Sequence, residues 1–409
     1  MRHDVDAITA EPRPSSTVSE MWLMTVLGML LAFASISTDL YLPAMPGMSA
    51  ALGTTQGSLQ YTVSAYLIGF SFGQLIWGPV GDRFGRRVPV AVGLVLFMAG
   101  CTGCALSADV VQLIAFRVLQ AVGACAGVVL ARAMVRDLYG RDRAAAVLST
   151  LMTVMAVAPL LGPSVGGLIL GVAPWQAIFW ALVGIGLLTL VALFTIPETL
   201  PAERRSNESL GMAFASYGGL ILDNRLMVYG GALGFYYAGV FAGISSSSFA
   251  YIDYHHLSPQ LFGAVFAVGT VGLMATNFAN ARLVARYGSD RMLKLGAAGA
   301  AVSGLVLAFV TATDFWGVYG MAASLWLFTA MNGLVTANAI SGALADFPTR
   351  AGAVSALMGA IQYGSGVVGS AVTGTFANGT PWPMGVVIAI GGLGSLACAS
   401  LIRRQSLDY

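Results

Sequence analysis

The sequence contains 409 residues, of which 57% are hydrophobic and only 9% carry a charge. A soluble domain has about 25% charged residues, so this chain lacks the charges that a water-facing surface needs. Its 20 basic and 18 acidic residues leave a net charge of +2, which excludes the basic surface of a nucleic-acid-binding protein. Together with a mean hydropathy of +0.79, these values predict an integral membrane protein.

Twelve apolar segments are long enough to cross a bilayer, which takes about 20 helical residues. Their apolar runs are continuous and do not alternate with period two, which favours α-helices over a β-barrel. In chain order the segments lie at residues 22–45, 57–78, 88–107, 110–132, 145–171, 175–195, 226–250, 259–281, 292–311, 314–340, 350–376 and 383–402. The polar residues 1–20 lack the features of a secretory signal, so we expect the first segment to remain as a span.

The basic residues indicate how the segments are oriented. Apart from Arg117, every arginine and lysine falls in a tail, a loop or a segment end on one side of the twelve segments. Basic loops remain in the cytoplasm. We therefore expect both termini in the cytoplasm and the chain in the inner (plasma) membrane.

The chain also divides into two similar halves. The longest internal polar stretch, residues 197–225, separates the segments six and six, and the Arg-Phe-Gly of residues 83–85 recurs 203 positions later as Arg-Tyr-Gly. We predict a tail (1–20), a six-helix bundle (21–196), a cytoplasmic loop (197–225), a second bundle (226–403) and a tail (404–409). Repeated bundles of this kind form transporters whose substrate cavity lies between the halves.

Two charged residues lie inside the predicted spans. At 1.5 Å per residue, Asp39 is about 9 Å and Arg117 about 10 Å from the outer ends of segments one and four. A charge at such depth costs about 3 kcal/mol or more, so it usually faces a cavity or a partner. We expect Asp39 and Arg117 to face one cavity and to be energetically coupled. The alternatives are a first span that ends at Thr38 and an Arg117 held by backbone carbonyls.

The residues that could bind a metal are too dispersed to do so. The cysteines all lie in apolar segments, and no second Cys/His pair completes a zinc site with Cys101 and Cys104. The histidines are His3 in the tail and the pair 255–256 in one outer loop. We expect no metal, no cofactor and no enzymatic activity.

The loop after segment two carries the most specific motif. It combines small turn residues with one acid and three arginines, namely Gly78, Asp82, Arg83, Gly85, Arg86 and Arg87. Asp82 can either cap the next helix or pair with an arginine. This pattern resembles the signature loop of the major facilitator superfamily, which implies twelve helices in two pseudo-symmetric six-helix bundles and a loop that latches the inner gate.

Two further motifs lie within spans. Arg117 and Gln120 resemble the superfamily's fourth-span Arg-x-x-Gln-Gly motif, with Ala121 in place of the glycine. In span five, prolines bend the helix and glycines permit close packing; these residues are Pro159, Gly162, Pro163, Gly166 and Gly167. The second pattern resembles the motif of the superfamily's exporter (antiporter) branch.

Several polar, aromatic and flexible side chains are candidates to line a drug cavity. Aromatic rings and methionines suit varied apolar ligands. The candidates are Ser35, Tyr66, Gln120, Met152, Met155, Tyr236, Tyr237 and Asn332. Ordinary helix packing is the alternative explanation for each of them.

Together with "STDLYLPAMP" and "IPETLPAERR", these motifs are similar to those of the Bcr/CflA-type drug:proton antiporters. The resemblance implies a monomer in the lipid bilayer that exports drugs in exchange for protons, driven by the proton gradient. Asp39 is then the expected proton carrier, and Arg117 the charge that alters the balance between its two protonation states. A metabolite transporter on the same fold remains an alternative, and a membrane-embedded enzyme or a receptor is a more distant one.

Overall fold

The computed structural model describes residues 19–206, 210–347 and 350–402. Within these ranges the structure does not describe the side chains of residues 34, 141–142, 145, 149, 152–158, 210, 213 and 216. The described residues form helices and no strands, as expected for membrane-spanning backbone whose hydrogen bonds must close within each segment.

The described part of the first half contains seven α-helices. They are α1 (Glu20–Asp39), α2 (Met45–Ala51), α3 (Gln56–Phe84), α4 (Arg87–Leu106), α5 (Val110–Leu138), α6 (Arg141–Leu170) and α7 (Gln176–Leu193). The second half begins after the short helix α8 (Leu210–Ile221). It contains α9 (Asn224–Ser248), α10 (Pro259–Tyr287), α11 (Ser289–Thr313), α12 (Gly317–Ala330), α13 (Asn332–Ala345), α14 (Ala351–Thr375) and α15 (Trp382–Ser400).

Among the described residues, ten helices are long and apolar enough to cross a membrane, and α12 and α13 count there as one span. The bent pair at the start of the chain makes eleven if it is one span. Helix α6 covers the remaining predicted segment. The expected all-helical, two-bundle fold is confirmed.

Two predicted loops contain helix instead. Residues 78–84 belong to the last two turns of α3, and the chain turns only at Gly85, whose φ is +87°. Residues 210–221 of the expected polar central loop form α8, which has no charged residue. A helix satisfies its own backbone hydrogen bonds in polar and apolar surroundings alike, so a stretch outside the predicted spans can still be helical.

The halves meet along two pairs of helices, α3 with α14 and α6 with α10. Small residues bring each pair close: Gly57 contacts the Gly374 carbonyl, and a β-carbon on Gly263 would lie 2.6 Å from Ser164 Cα. Side-chain hydrogen bonds also cross the α3–α14 contact, including one of 2.6 Å between Ser64 and Ser370. The space that these contacts leave between the halves contains a cavity.

Candidate functional site

A cavity of about 250 Å³ lies between the two halves. Residues of α1, α3 and α6 form one wall, and residues of α9, α10, α12, α13 and α14 form the other. Its aromatic lining consists of Tyr66, Tyr237, Phe241, Tyr251, Phe266, Trp326 and Tyr363. This volume is close to that of small-molecule sites, which are mostly apolar with a few placed polar groups.

Asp39 is the one Asp, Glu, Lys, Arg or His among the described residues that line this cavity. It is the last residue of α1 and is 5% exposed. Helix α6 packs directly behind it, because a β-carbon on Gly162 would come within 2.7 Å of Asp39 Cβ. The exporter-type motif therefore lies against the carboxyl-bearing turn, and Pro159 of the same motif reaches the cavity itself.

The rest of that motif forms contacts on both sides of α6. Gly166 packs against Pro43, because a β-carbon added to the glycine would lie 2.9 Å from Pro43 Cγ. On the other side of the helix, the backbone of Pro163 contacts α10. The Gly167 carbonyl accepts a hydrogen bond of 3.1 Å from Gln260 Nε2. The small residues thus let α6 pack closely against both α1 and the other half.

Arg117 lies behind the cavity wall and is fully buried. Its Nη1 donates to the Ser37 carbonyl (3.2 Å) and to Gln120 Oε1 (2.7 Å). The guanidinium carbon lies 4.6 Å and 4.5 Å from the ring centroids of Tyr41 and Tyr66. Within the described part of the chain, Nε and Nη2 have no hydrogen-bond partner and the side chain forms no ion pair.

Asp39 lines the cavity and Arg117 does not, so the two residues do not face one cavity as expected. The two residues are linked indirectly, since Arg117 binds the backbone carbonyl two positions before Asp39. Tyr66 also connects them, because it lines the cavity and contacts the guanidinium. The alternative in which backbone carbonyls hold Arg117 accounts for one of its contacts, the hydrogen bond to the Ser37 carbonyl.

Of the eight candidate cavity residues, four line the cavity, two have side chains that the structure does not describe, and two lie elsewhere. Ser35, Tyr66, Tyr237 and Asn332 line the cavity, whereas the side chains of Met152 and Met155 lie outside the described residues.

Gln120 and Tyr236 do not line the cavity, contrary to expectation. Both are fully buried, and their polar atoms are already bonded. Gln120 Nε2 donates to Cys101 Sγ at 3.0 Å, and the Tyr236 hydroxyl donates to the Phe328 carbonyl at 2.9 Å.

Sequence reasoning missed Gln362 and Tyr363, which do line the cavity. A polar pair in the middle of an apolar segment could have indicated them.

The signature loop forms a charged network at the predicted cytoplasmic end. Arg86 donates to Asp82 Oδ1 (2.7 Å) and to Asp137 Oδ2 (2.8 Å), so Asp82 pairs with an arginine and does not cap α4. Arg83 instead lies 5.7 Å from the Phe84 ring. The network joins the ends of α3 and α5 within the first half.

A carboxylate from a distant part of the chain caps α4. Glu198 accepts hydrogen bonds from the backbone N–H groups of Arg86 (2.9 Å) and Arg87 (3.1 Å). Burial raises the pKa of Glu198, but these bonds and those from Thr199 and Leu200 outweigh it, so its pKa lies below the ordinary value. Gly85 is required beside it, because a β-carbon there would lie 2.8 Å from Glu198 Oε2.

Comparison with known proteins agrees with this architecture. The family model described as Major Facilitator Superfamily matches residues 26–370. The chain is 33% identical to an uncharacterized MFS-type transporter, YdgK, of Bacillus subtilis (94% of this chain, 96% of that one). It is 30% identical to a bicyclomycin resistance protein homolog of Haemophilus influenzae (88% and 90%) and 31% identical to a chloramphenicol resistance protein of Pseudomonas aeruginosa (90% and 88%).

Solved structures share the fold at lower identity. The xylose transporter XylE from E. coli, in a partially occluded inward open conformation, superposes with a TM-score of 0.74 at 15% identity. The superposition covers 94% of this chain and 98% of that one.

Proposed function

Because the chain belongs to the Major Facilitator Superfamily, we propose that it exports small apolar or amphipathic drugs across the inner membrane in exchange for protons. Relatives named for bicyclomycin and chloramphenicol resistance support the drug as cargo. The membrane-spanning transporter fold supports alternating access, in which the halves rock around a site between them.

One observation carries the proposal: Asp39 faces an aromatic cavity that lies between the two halves. A carboxyl group there can be exposed to one side of the membrane and then to the other as the halves move. It can take up a proton from one side and release it to the opposite side, which requires no metal or organic cofactor. A drug that enters the same cavity competes with the proton for the carboxylate or for the space around it, and this competition couples the two fluxes.

Arg117 is the positioning residue in this scheme. Its hydrogen bond to the Ser37 carbonyl holds the last turn of α1, and its charge lies behind the Tyr66 ring that faces the cavity. A movement of α1 against α5 would change the distance between guanidinium and carboxylate. The change would shift the balance between the protonated and ionised forms of Asp39.

The proton gradient sets the direction of transport, because a proton that moves inward releases about 2.3 kcal/mol per 100 mV of membrane potential. In the proposed exchange, this free energy drives the drug outward. With both termini in the cytoplasm, as the basic loops predict, the Arg86–Asp137 network lies at the inner end of the first half.

A monomer with one cavity is sufficient for the proposed transport cycle.

The test is export by the purified protein in liposomes with an imposed proton gradient. Asp39→Asn should lose uphill export of chloramphenicol while it still exchanges the drug down its own gradient. Asp314→Asn, a loop change that asparagine tolerates at its left-handed φ of +52°, is the matched control. Full uphill export by Asp39→Asn would overturn the assignment of the proton carrier.

A further inference from the structure

The cavity has a second polar region, on the wall opposite Asp39. It consists of Tyr237 on α9, Asn332 at the start of α13, Thr336 one turn later, and Gln362 on α14. Tyr237, Asn332 and Gln362 line the cavity. We call these four residues the amide cluster. All of them belong to the second half, whereas Asp39 belongs to the first.

The hydrogen bonds of the amide cluster converge on one hydroxyl. Asn332 Nδ2 donates to the Tyr237 oxygen at 3.0 Å, and Thr336 Oγ1 donates to it at 3.3 Å. Gln362 approaches the same oxygen from α14. Thr336 Oγ1 also lies 3.3 Å from Asn332 Oδ1, so its single proton serves one of the two oxygens at a time. A phenol is also a donor, so when Asn332 and Thr336 both donate to its oxygen, the Tyr237 proton is left for a ligand in the cavity that this residue lines.

A helix break places the cluster in the cavity. Helix α12 ends at Ala330 and α13 begins at Asn332, which interrupts the span beside the cavity. Side chains stabilise the break: Tyr236 donates to the Phe328 and Thr329 carbonyls, and Thr276 donates to the Ala330 carbonyl. Irregular backbone at membrane depth is tolerated where it lines a cavity. The break is therefore held in place by neighbouring helices and is not a frayed helix end.

We propose that the Tyr237 hydroxyl donates a hydrogen bond to a carbonyl oxygen of the substrate, which makes carbonyl- and amide-bearing drugs the preferred cargo. Asn332 positions the phenol by donating to its oxygen, and Thr336 lies within hydrogen-bond distance of both side chains. The aromatic rings around the hydroxyl bind the apolar part of such a molecule. This inference rests on the proposed export function and adds the chemical class of the cargo.

The amide cluster and Asp39 have separable roles, because they lie on different halves. Loss of the phenol proton should weaken recognition of a carbonyl and leave proton exchange at Asp39 intact. A ligand without hydrogen-bonding groups should be insensitive to the same change. The pair of effects distinguishes substrate recognition from a general defect in transport.

The experiment measures proton-driven export of two probes by protein in liposomes: chloramphenicol, which carries an amide carbonyl, and tetraphenylphosphonium, which has no hydrogen-bonding group. For Tyr237→Phe we expect the KM for chloramphenicol to rise about five- to tenfold, the usual effect of one hydrogen bond. The KM for tetraphenylphosphonium should change less than about twofold. Asn332→Leu should act in the same direction.

Thr189→Val is the matched control. Thr189 is buried on α7, away from the cavity lining, and its hydroxyl donates to the Ile185 carbonyl of its own helix, so its loss should leave both probes unaffected. Equal shifts for both probes in Tyr237→Phe, or no shift for either, would overturn the carbonyl proposal. If the wild type exports neither probe, the export function itself fails, which is a different outcome.

Discussion

Gly162 of α6 lies directly against Asp39 of α1, so closely that a β-carbon on the glycine would come within 2.7 Å of the Asp39 β-carbon. The glycine was expected from its motif and the aspartate from its depth in the first span. The structure brings them together at the wall of the cavity. Helix α6 also contacts α10 of the other half, so a movement between the halves is transmitted to the residue beside Asp39.

Gly162→Ala should therefore slow export strongly. The added methyl group has to displace Asp39 and the end of α1, because the atoms it meets belong to a β-carbon and backbone. Overpacking of this kind costs about 1–3 kcal/mol, so the thermal unfolding midpoint in detergent should also fall. The control is Gly184→Ala on α7, where an added β-carbon meets no atom within 4 Å. Export equal to wild type in Gly162→Ala would contradict the close contact.

Arg117→Lys should behave almost as badly as Arg117→Met. The planar guanidinium packs between the Tyr41 and Tyr66 rings and bonds both Ser37 and Gln120. An ammonium group keeps the charge but loses the planar stacking and the forked geometry. Each lost cation–π contact is worth about 0.5–2 kcal/mol.

Thermal unfolding and proton-driven export of the two variants check this prediction. If the charge alone mattered, lysine would restore both the unfolding midpoint and export to the wild-type level. Arg83→Lys, at an exposed ring contact in the signature motif, is the control that should change little.

The sequence was sufficient to predict the membrane-spanning helices, their division into halves and the position of Asp39 in a cavity. Hydropathy and charge specify depth along the membrane normal, and Asp39 was the one acid at depth. The direction of a side chain around its helix is not specified in this way. Arg117 has a similar predicted depth. Because α5 packs against both α3 and α4, the side chains of Arg117 and of Gln120, one turn later, point into the protein interior and not into the cavity.

Contacts between distant residues were the least predictable part of the site. The break between α12 and α13 depends on Tyr236 and Thr276, more than fifty residues before the carbonyls that they bind. The carboxylate that caps α4 comes from Glu198, 112 residues after Arg86. No local propensity encodes such partners, so Asp82 was the natural candidate for the cap.

Asp137→Asn should destabilise the protein by about 3 kcal/mol, because it leaves the charge of Arg86 partly unpaired in a buried site. The Arg86 side chain is 6% exposed and that of Asp137 is 15% exposed. Glu20→Gln is the matched control, since the Arg143–Glu20 pair is about half exposed on both sides and such pairs are worth at most about 1 kcal/mol. Equal losses in the thermal unfolding of the two variants would show that the buried network has no special role.

Acid should weaken the cap on α4. The pKa of Glu198 is lower in the folded protein than its ordinary value, so its ionised form stabilises the fold at neutral pH. That stabilisation is present above the unfolded pKa of about 4.3 and is lost as the pH falls through the lower folded value. Glu198→Gln should lower the unfolding midpoint at pH 7, and its difference from wild type should shrink below about pH 4.

The exposed Glu203 provides the comparison, because Glu203→Gln removes a carboxylate from the same segment without removing the cap on α4. Its unfolding midpoint should follow the wild-type curve at every pH. A Glu198→Gln curve that runs parallel to wild type down to pH 3 would show that the α4 cap does not depend on the ionised carboxylate. The signature turn at Gly85 would then be held mainly by the Arg86–Asp137 pair, and Asp137→Asn should account for most of the stability of this end of the first half.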